Sequence, residues 1–397
     1  MNRLVCTSLE RPKDLPPPKR QGPARVMFVH GLELGFSTVA SNLEQYMATR
    51  DDIDAVHLQI ARPLWVRIAG MHNLPLGRLR VGIPYGDNRQ MLAYRALLGR
   101  LFRRWYPMDR FDCVHLMTQQ RSLITTTLAG RTSTRFVVGI DATAMCYYRE
   151  FRGRSPMSAG QERRIFSAAD AVSCFSNWAA DSVAQDYNID RRKLFMYRPC
   201  VMVSGPRTRI EREPGPIRII FIGNDWVGKG GPRLIRWHQE HWRDIAEIHV
   251  CSAGAPKGKQ LTNVIWHGAT PHAKLIQEIL PRMDMAVIPT YLDTLLIAAQ
   301  EAQSQGLPVV TSRIAGIPDI VKDGRTGILC SPLDDAAYIT AVDRLIKDAG
   351  LRRSMSNASL EHGRRNLDSA VWHRHFADQI VAVADGRPLS FSPPGVQ

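Results

Sequence analysis

Short apolar runs of strand length alternate with segments of helical periodicity through most of the chain. Four such runs, "RVMFVH", "DAVHLQIA", "FDCVHLM" and "RFVVGID", predict strands at residues 25–30, 54–61, 111–117 and 135–141. Segments with an apolar spacing near 3.6 lie between them and predict helices. Because strands that alternate with helices form parallel sheets, the pattern predicts an α/β fold.

The alternation is interrupted once. Residues 203–216, "VSGPRTRIEREPGP", are rich in Pro, Gly and charge, which is typical of a linker, and the strand pattern restarts with "IRIIFIG" at residue 217. The predicted organisation is a flexible lead-in at 1–24, a Rossmann-like domain at 25–205, a linker at 206–216, a second Rossmann-like domain at 217–368, and a C-terminal helix and tail at 369–397 that could cross back to the first domain.

Two doubly wound domains that face each other would enclose a deep cleft. In open α/β sheets, ligands bind at the carboxyl ends of the strands. We therefore expect the functional residues in loops that directly follow strands, in both domains.

Composition supports a globular protein, since 44% of the 397 residues are hydrophobic. No apolar run approaches the roughly 20 residues that span a bilayer, and the polar, Pro-rich start does not resemble a signal peptide, so we expect a cytoplasmic protein. The seven cysteines are scattered without a C-x-x-C, which argues against a disulfide framework or a zinc site. No metal-binding motif is apparent.

Positive charge is concentrated in the first half. Residues 1–216 carry 32 Lys and Arg against 19 Asp and Glu, whereas residues 217–397 carry 20 against 18. This asymmetry indicates an anionic partner such as a membrane surface, nucleic acid or a phosphorylated substrate, or else ordinary solvated surface. No nucleic-acid-binding motif is present, so we expect no nucleic-acid partner.

The predicted helix at residues 89–106 is basic and amphipathic. Its spacing predicts one apolar side and a separate basic side, made respectively of Leu92, Leu98, Phe102 and Trp105, and of Arg95, Arg100, Arg103 and Arg104. Such a helix can lie on an anionic bilayer, which would make the protein peripheral to the membrane. Alternatively it packs on the core of the first domain and leaves only its basic side exposed.

Two glycine-containing turns are candidates for chemistry. In "FIGNDWVGKGG" a strand ends at Gly223, and Lys229 and Gly230 lead into a helix, so the free N–H groups and the lysine could hold a phosphate. In "AGIPDIVKDGRTG" backbone N–H groups around Gly316 could face a ligand. Either turn could instead be purely structural.

Several segments carry a family resemblance. The run at residues 307–358, which contains "AGIPDIVKDGRTGILCSPLDD", resembles the C-terminal domain of retaining, GT-B-fold glycosyltransferases of the "glycosyl transferases group 1" family. "FIGNDWVGKGG" and "VIPTYLDTLLIAAQEAQSQG" are similar to two further motifs of that family. In the first half, "VVGIDATAMCYYRE" and "SAADAVSCFSNWAADSVAQDYNI" look like its acceptor-domain segment.

The resemblance implies a GT-B fold and transfer of a sugar, with retention of anomeric configuration, from a UDP- or GDP-sugar to an acceptor. The N-terminal domain would bind a sugar, lipid-linked or other acceptor, and the C-terminal domain would bind the nucleotide-sugar. It further implies no metal or other cofactor, and a role in polysaccharide or glycoconjugate synthesis. A degenerate nucleotide-sugar-binding protein and a GT-B-fold epimerase are the alternatives.

In the second domain the resemblance assigns Glu301 to the ribose hydroxyls and Lys229 to the diphosphate. Asp293 would face the donor sugar, or else cap a helix. The family has a glycine-rich turn after this acid, where this chain reads Thr294-Leu295-Leu296. The family has an arginine where this chain has Asn224, and Arg313 or Arg325 could supply the missing charge. The predicted donor-binding residues are Gly31, Gly35, Gly223, Asn224, Lys229, Gly230, Thr294, Leu295, Glu301 and Gly316.

In the first domain, Gly31 and Gly35 match the family's glycine-rich loop after the first strand. Asp141 follows a strand where many family members place a histidine. It could orient an acceptor hydroxyl or act as a base, so the predicted catalytic residues are Asp141, Lys229 and Asp293. His30 and His115, at strand ends, are alternatives to Asp141, although a histidine in such a place is often structural.

Overall fold

The computed structural model describes residues 2–6, 22–31, 36–60, 64–69, 73–76, 79–82, 86–152, 157–199, 215–256 and 260–396. The chain forms two compact units. The first comprises Met1–Arg198 with Ala370–Pro393, and the second comprises Pro199–Ser369 with Pro394–Gln397. Most of the predicted linker lies outside the described residues, and the predicted domain boundaries stay predictions.

The first unit is built on a parallel sheet of seven strands in the order β1-β3-β2-β6-β7-β8-β9, with β4 and β5 forming a separate antiparallel hairpin. Its strands are β1 (Asn2–Cys6), β2 (Ala24–Gly31), β3 (Ile53–Ile60), β4 (Asn73–Leu76), β5 (Leu79–Gly82), β6 (Cys113–Met117), β7 (Arg135–Ile140), β8 (Ala171–Cys174) and β9 (Leu194–Met196). Its helices are α1 (Phe36–Met47), α2 (Leu64–Ala69), α3 (Gly86–Arg104), α4 (Thr125–Leu128), α5 (Ala144–Phe151), α6 (Ala159–Ala168) and α7 (Asn177–Asp186).

The predicted strands of this unit are confirmed within a residue or two. Their near-continuous apolar runs are explained by burial on both faces of the sheet, as in β6, where all five residues are buried. The prediction of a flexible lead-in is wrong for Asn2–Cys6, which pairs with Val56–Ile60 as a parallel edge strand. A five-residue strand next to a Pro-rich stretch gives too weak a periodic signal to be recognised.

Helix α3 packs its apolar side on this sheet. Tyr94, Leu98, Leu101 and Phe102 are buried in the core of the unit. The prediction that Leu92 shares this side is wrong, because its side chain is 52% exposed. The alternative of a core-packed helix with an exposed basic side is therefore the observed arrangement.

The second unit has a parallel sheet of six strands in the order β12-β11-β10-β13-β14-β15. These are β10 (Ile217–Ile222), β11 (Ala246–Cys251), β12 (Val264–Trp266), β13 (Met285–Ile288), β14 (Val309–Ser312) and β15 (Gly327–Cys330). The helices are α8 (Gly231–Trp237), α9 (His272–Lys274), α10 (Ile297–Ser304), α11 (Ile317–Ile320), α12 (Asp335–Lys347) and α13 (Ala349–Asn366).

The last helix, α14 (Ser369–Asp385), packs on the first unit. The ring of Phe376 lies 4.3 Å from that of Tyr197 and 5.1 Å from that of His115, centroid to centroid. The ion pair between Arg50 and Asp378 adds a polar contact at 2.8 Å. The C-terminal segment thus supplies part of the core of the N-terminal sheet.

Three buried histidines stand side by side on β2, β3 and β6 of the first unit. His30 Nε2 lies 3.0 Å from His57 Nδ1, and His115 Nε2 lies 3.3 Å from Ser173 Oγ. Burial holds the pKa of His30 well below its ordinary value and lowers the pKa of His115 to about 3. Both rings are therefore neutral core residues, which favours the structural interpretation over a catalytic one.

Acid is expected to destabilise the first unit through these rings. Because the folded pKa of each ring is depressed, the unfolded chain binds more protons than the folded chain below about pH 6.5. The free energy of unfolding therefore has its full value above that pH and decreases as the pH falls below the pKa of an unfolded histidine. For His115, whose folded pKa is about 3, the loss is about 2 kcal/mol at about pH 5. Denaturant titrations at about pH 8 and about pH 5 measure this loss of stability. The variant His115→Gln should reduce the loss, whereas the control His241→Gln, at a surface histidine, should leave it unchanged. An unchanged pH dependence in His115→Gln would contradict the assignment.

Five cysteines among the described residues are free and buried, at positions 113, 146, 174, 251 and 330, as expected for reduced thiols. Within the described part of the chain, no helix has the length and apolarity needed to cross a bilayer.

Candidate functional site

Two loops at the carboxyl end of the second sheet carry most of the predicted donor-site residues. One follows β10 and runs from Gly223 to Gly230, and the other follows β13 and leads into α10. The neighbouring positions of β10 and β13 in the sheet bring these loops together. The Tyr291 N–H donates to the Gly228 carbonyl at 2.9 Å and ties one loop to the other.

Lys229 and Asp293 form an ion pair between the two loops, from Lys229 Nζ to Asp293 Oδ2. Both side chains are mostly buried, at 22% and 15% exposure. The two residues that the resemblance assigns to the diphosphate and the sugar are therefore in direct contact. An anion that approaches Lys229 must compete with the Asp293 carboxylate for the ammonium group.

Asp293 also holds the turn that precedes α10. Its Oδ1 accepts hydrogen bonds from the N–H groups of Leu295 and Leu296, at 3.2 and 3.0 Å. Asp293 is not itself the N-cap residue of α10. That residue is Leu296, so the helix begins about one turn later than it would if Asp293 capped it directly. Asp293 thus combines a capping contact with an ion pair.

Leu296 adopts a left-handed backbone conformation, with φ of 54°. The related family motif has a glycine-rich turn here, and a leucine in this conformation is strained by about 1–2 kcal/mol. Burial of the Leu295 and Leu296 side chains offsets that strain. The turn therefore persists without glycine.

Gly230 is where the first loop requires a glycine. Its φ is +79°, and a Cβ added there would lie 2.1 Å from the Pro289 carbonyl oxygen. This close approach brings the start of α8 against the end of β13. Lys229 is held at the site by that contact.

Gly230→Ala is expected to destabilise the second unit by about 3 kcal/mol or more, the sum of left-handed strain and a backbone clash. The matched control is Gly324→Ala, where φ is +72° and no atom lies within 4 Å of the added Cβ. That variant should lose only the strain, about 1–2 kcal/mol. Denaturant unfolding of both variants measures the difference, and equal losses would contradict the clash.

Glu301 lies on α10 and is only 9% exposed. Its Oε1 is 3.2 Å from Nε2 of His272, at the start of α9, and this contact raises the pKa of His272 above its ordinary value. His272 was not among the predicted site residues, because no sequence motif marks it. The His272 ring is half-exposed, so the partner of the Glu301 carboxylate lies at the solvent-facing edge of the site.

The side-chain amide of Asn224 is already hydrogen-bonded within the protein, since its Oδ1 accepts from the Ala253 N–H at 3.1 Å. The two arginines considered as replacements for the missing charge pair elsewhere. Arg313 pairs with Asp323, and Arg325 lies 3.8 Å from Glu361. The cation that pairs with Asp293 is therefore Lys229 and neither of these arginines.

Gly223 and Gly316 both make close approaches. A Cβ on Gly223 would lie 2.8 Å from Lys229 Cγ, so the missing side chain leaves room for the lysine stem. The Gly316 N–H donates to the Thr294 carbonyl at 3.0 Å and fixes the turn before α11 against the turn before α10. The donor-binding roles of Gly223, Thr294, Leu295 and Gly316 stay predictions.

In the first unit, Asp141 follows β7 beside a buried polar network that sequence analysis missed. Glu162 is fully buried and accepts from the Ala144 N–H at 2.8 Å, from the Tyr187 hydroxyl and from Gln119 at 3.1 Å. Burial raises the pKa of Glu162, and the neighbouring Asp141 adds to that shift. Gly31 ends β2, and Gly35 lies outside the described residues.

No cluster of three or more His, Cys, Asp or Glu side chains within the described ranges has a geometry that could hold a metal ion.

Two family models match the chain in sequence. Residues 35–199 match the Glycosyl transferase 4-like domain, and residues 216–348 match Glycosyl transferases group 1, so that together they cover most of the chain. The chain belongs to the glycosyl transferases group 1 family. The resemblance inferred from the motifs is confirmed.

Among the relatives of this family member is the D-inositol 3-phosphate glycosyltransferase of Geodermatophilus obscurus. It is 26% identical over 263 residues, and the match covers 57% of each chain. The chain thus spans little more than half the length of this curated relative.

Two solved structures show the fold. Sucrose-phosphate synthase from Thermosynechococcus elongatus superposes with a TM-score of 0.70 at 12% identity, covering 91% of this chain and 100% of that one. Anabaena HepE in complex with UDP-glucose gives a TM-score of 0.63 at 12% identity, covering 90% and 99%. The predicted fold class, an α/β GT-B fold with two Rossmann-like domains, is confirmed.

Proposed function

We propose that this family member transfers a sugar from a nucleotide-sugar, a UDP- or GDP-sugar, to an acceptor with retention of anomeric configuration. The single observation that carries the proposal is the ion pair of Lys229 with Asp293 at the carboxyl end of the second sheet, in loops that lead into α8 and into α10, the helix that carries Glu301. In open α/β sheets that edge binds ligands. A cation and two carboxylates there suit a diphosphate, a sugar and a ribose.

Each side chain has a separate role in this proposal. Glu301 accepts hydrogen bonds from the ribose hydroxyls, a strong interaction because the acceptor is charged. Lys229 leaves Asp293 to contact the diphosphate and stabilises the negative charge that develops on it as it departs. Asp293, released from the lysine, faces the donor sugar. We propose that the lysine and backbone N–H groups perform this task without a metal ion.

The relatives support the class of substrate. The curated relative is named D-inositol 3-phosphate glycosyltransferase, and HepE was solved in complex with UDP-glucose. By analogy we propose a hexosyl donor here and an acceptor bound by the first unit, where Asp141 lies beside the Glu162 network. Bacterial-type polysaccharide or glycoconjugate synthesis is the setting we propose.

A nucleotide-sugar-binding protein without transferase activity is the second candidate. It is favoured by the contacts of Asp293, which already satisfies two N–H groups and one ammonium group. If these contacts persist when donor is bound, the sugar meets no free carboxylate from this loop.

Incubation with a panel of radiolabelled UDP- and GDP-sugars separates the two candidates. We expect slow hydrolysis of one donor, faster release of label when an acceptor extract is added, and the same activity in the presence of EDTA. The stereochemistry of the product, measured by NMR, should be that of the donor. Tight donor binding without any release of sugar would favour the binding protein, and inversion would contradict the proposed mechanism.

A further inference from the structure

Helix α2 exposes three large apolar side chains. Leu64, Trp65 and Ile68 are 68%, 39% and 48% exposed. Their spacing along the helix places them within about a third of its circumference. Val66 lies on the other side and is buried in the core. The helix thus has one apolar side that anchors it and a second that faces solvent.

The exposed apolar side continues onto α3. The two helices pack together, and Arg89 Nε near the start of α3 donates to the Ala69 carbonyl at the end of α2, at 3.2 Å. Leu92 lies one turn further along α3 and is 52% exposed. We refer to Leu64, Trp65, Arg67, Ile68, Leu92 and Arg95 as the α2–α3 surface. Large exposed apolar side chains grouped on two helices that pack together are typical of an interaction site.

The charge of this surface has a single sign. Arg67 and Arg95 are exposed within it, and Arg100 and Arg103 extend the basic side along α3. No carboxylate in the described part of the chain forms an ion pair with these four arginines. Residues 64–69 and 89–104 contain no Asp or Glu at all. The partner must therefore offer both an apolar phase and negative charge.

We propose that the α2–α3 surface docks the first unit onto an anionic lipid bilayer. A bilayer supplies both requirements: acyl chains for Leu64, Ile68 and Leu92, and anionic headgroups for the arginines. Tryptophan is favoured at the boundary between the two, where its ring is half apolar and half polar. Each arginine near such a surface contributes about 1 kcal/mol. This surface belongs to the first unit, whereas the proposed donor site belongs to the second, so the two can be tested separately.

This surface is not the side of α3 that was considered for a bilayer from the sequence. The periodicity of residues 89–106 left two alternatives for the apolar side of α3, a bilayer or the core, and that side is buried against the sheet. The apolar contribution comes instead from α2, which is too short for its periodicity to stand out.

Co-sedimentation with vesicles tests the proposal on the full chain. We expect binding to vesicles of phosphatidylcholine with phosphatidylglycerol at low salt, weaker binding at high salt, and little binding to phosphatidylcholine alone. The double variants Leu64→Ser/Trp65→Ser and Arg67→Glu/Arg95→Glu should each weaken binding by about tenfold. The matched controls Leu333→Ser and Arg192→Glu, at side chains that are 80% and 91% exposed, should bind like the wild type.

Melting temperature and the thermal shift with UDP or GDP are measured on every variant. Both should be unchanged, so that a lost vesicle interaction cannot be confused with unfolding or with failure of the donor site. Absence of wild-type binding to anionic vesicles at low salt would overturn the proposal. Equal loss in the control variants would also overturn it. So would a change of oligomeric state in the α2 variant with vesicle binding intact, which would make this surface a contact between chains.

Discussion

Replacing Glu301 with alanine is expected to weaken UDP or GDP binding by about 10- to 100-fold. Hydrogen bonds to a charged acceptor contribute about 1.5–3 kcal/mol each, and removal of the carboxylate leaves the ribose hydroxyls without a partner in a partly buried site. Isothermal calorimetry gives the affinity directly. The effect should be much smaller for a nucleotide analogue that lacks the ribose hydroxyls, since such a ligand gains nothing from the carboxylate.

Two variants separate this role from a structural one. Glu361→Ala removes an exposed carboxylate from the same unit and should leave nucleotide binding unchanged. His272→Gln removes the ionic partner of Glu301 but keeps the carboxylate, so we expect a smaller loss than in Glu301→Ala. If Glu301→Ala weakened the nucleotide and the analogue equally, the ribose assignment would be wrong.

Replacing Lys229 with alanine should reduce sugar transfer by about 100- to 1000-fold, the range found when one stabilising donor is removed from a developing anion. Affinity for the nucleoside diphosphate should fall more than affinity for the nucleoside, because the lysine is assigned to the diphosphate. Lys347→Ala, at an exposed lysine of the same unit, is the control. Equal losses for diphosphate and nucleoside would indicate that the loop, and not the charge, had been damaged.

Asp293→Asn tests the competition for Lys229. It removes the charge that pairs with the ammonium group while retaining an oxygen able to accept from Leu295 and Leu296. We expect nucleoside diphosphate binding to stay the same or tighten and sugar transfer to fall. Weaker diphosphate binding in this variant would contradict the competition between Asp293 and the diphosphate.

The long periodic segments of the chain made the fold predictable from the sequence. Strands such as β2 and β6 are buried along nearly their whole length, and their near-continuous apolar runs give a strong signal. β1 was missed because a short edge strand beside a Pro-rich stretch has no such signal. The sequence left open whether the apolar side of α3 meets the core or a bilayer, because periodicity identifies a side of a helix but does not determine what packs against it.

Site residues that belong to a local sequence motif could be predicted. Contacts between residues that are far apart in the sequence could not. Lys229 and Glu301 stand in recognisable segments. The ion pair of Lys229 with Asp293 and the contact of His272 with Glu301 join residues far apart in sequence, which no single-sequence pattern shows. Leu296 shows a further limit, since burial of apolar side chains here maintains a turn that the family builds with glycine.

If the proposed function is correct, the second unit binds a nucleotide-sugar donor through Glu301 and Lys229. Calorimetric titration of the wild-type chain with UDP, GDP and their sugar conjugates tests it most directly. We predict saturable binding of at least one of them at one site per chain, weakened by about tenfold or more in both Glu301→Ala and Lys229→Ala. No binding of any of these ligands to the folded wild-type chain, or binding that both variants retain in full, would contradict it.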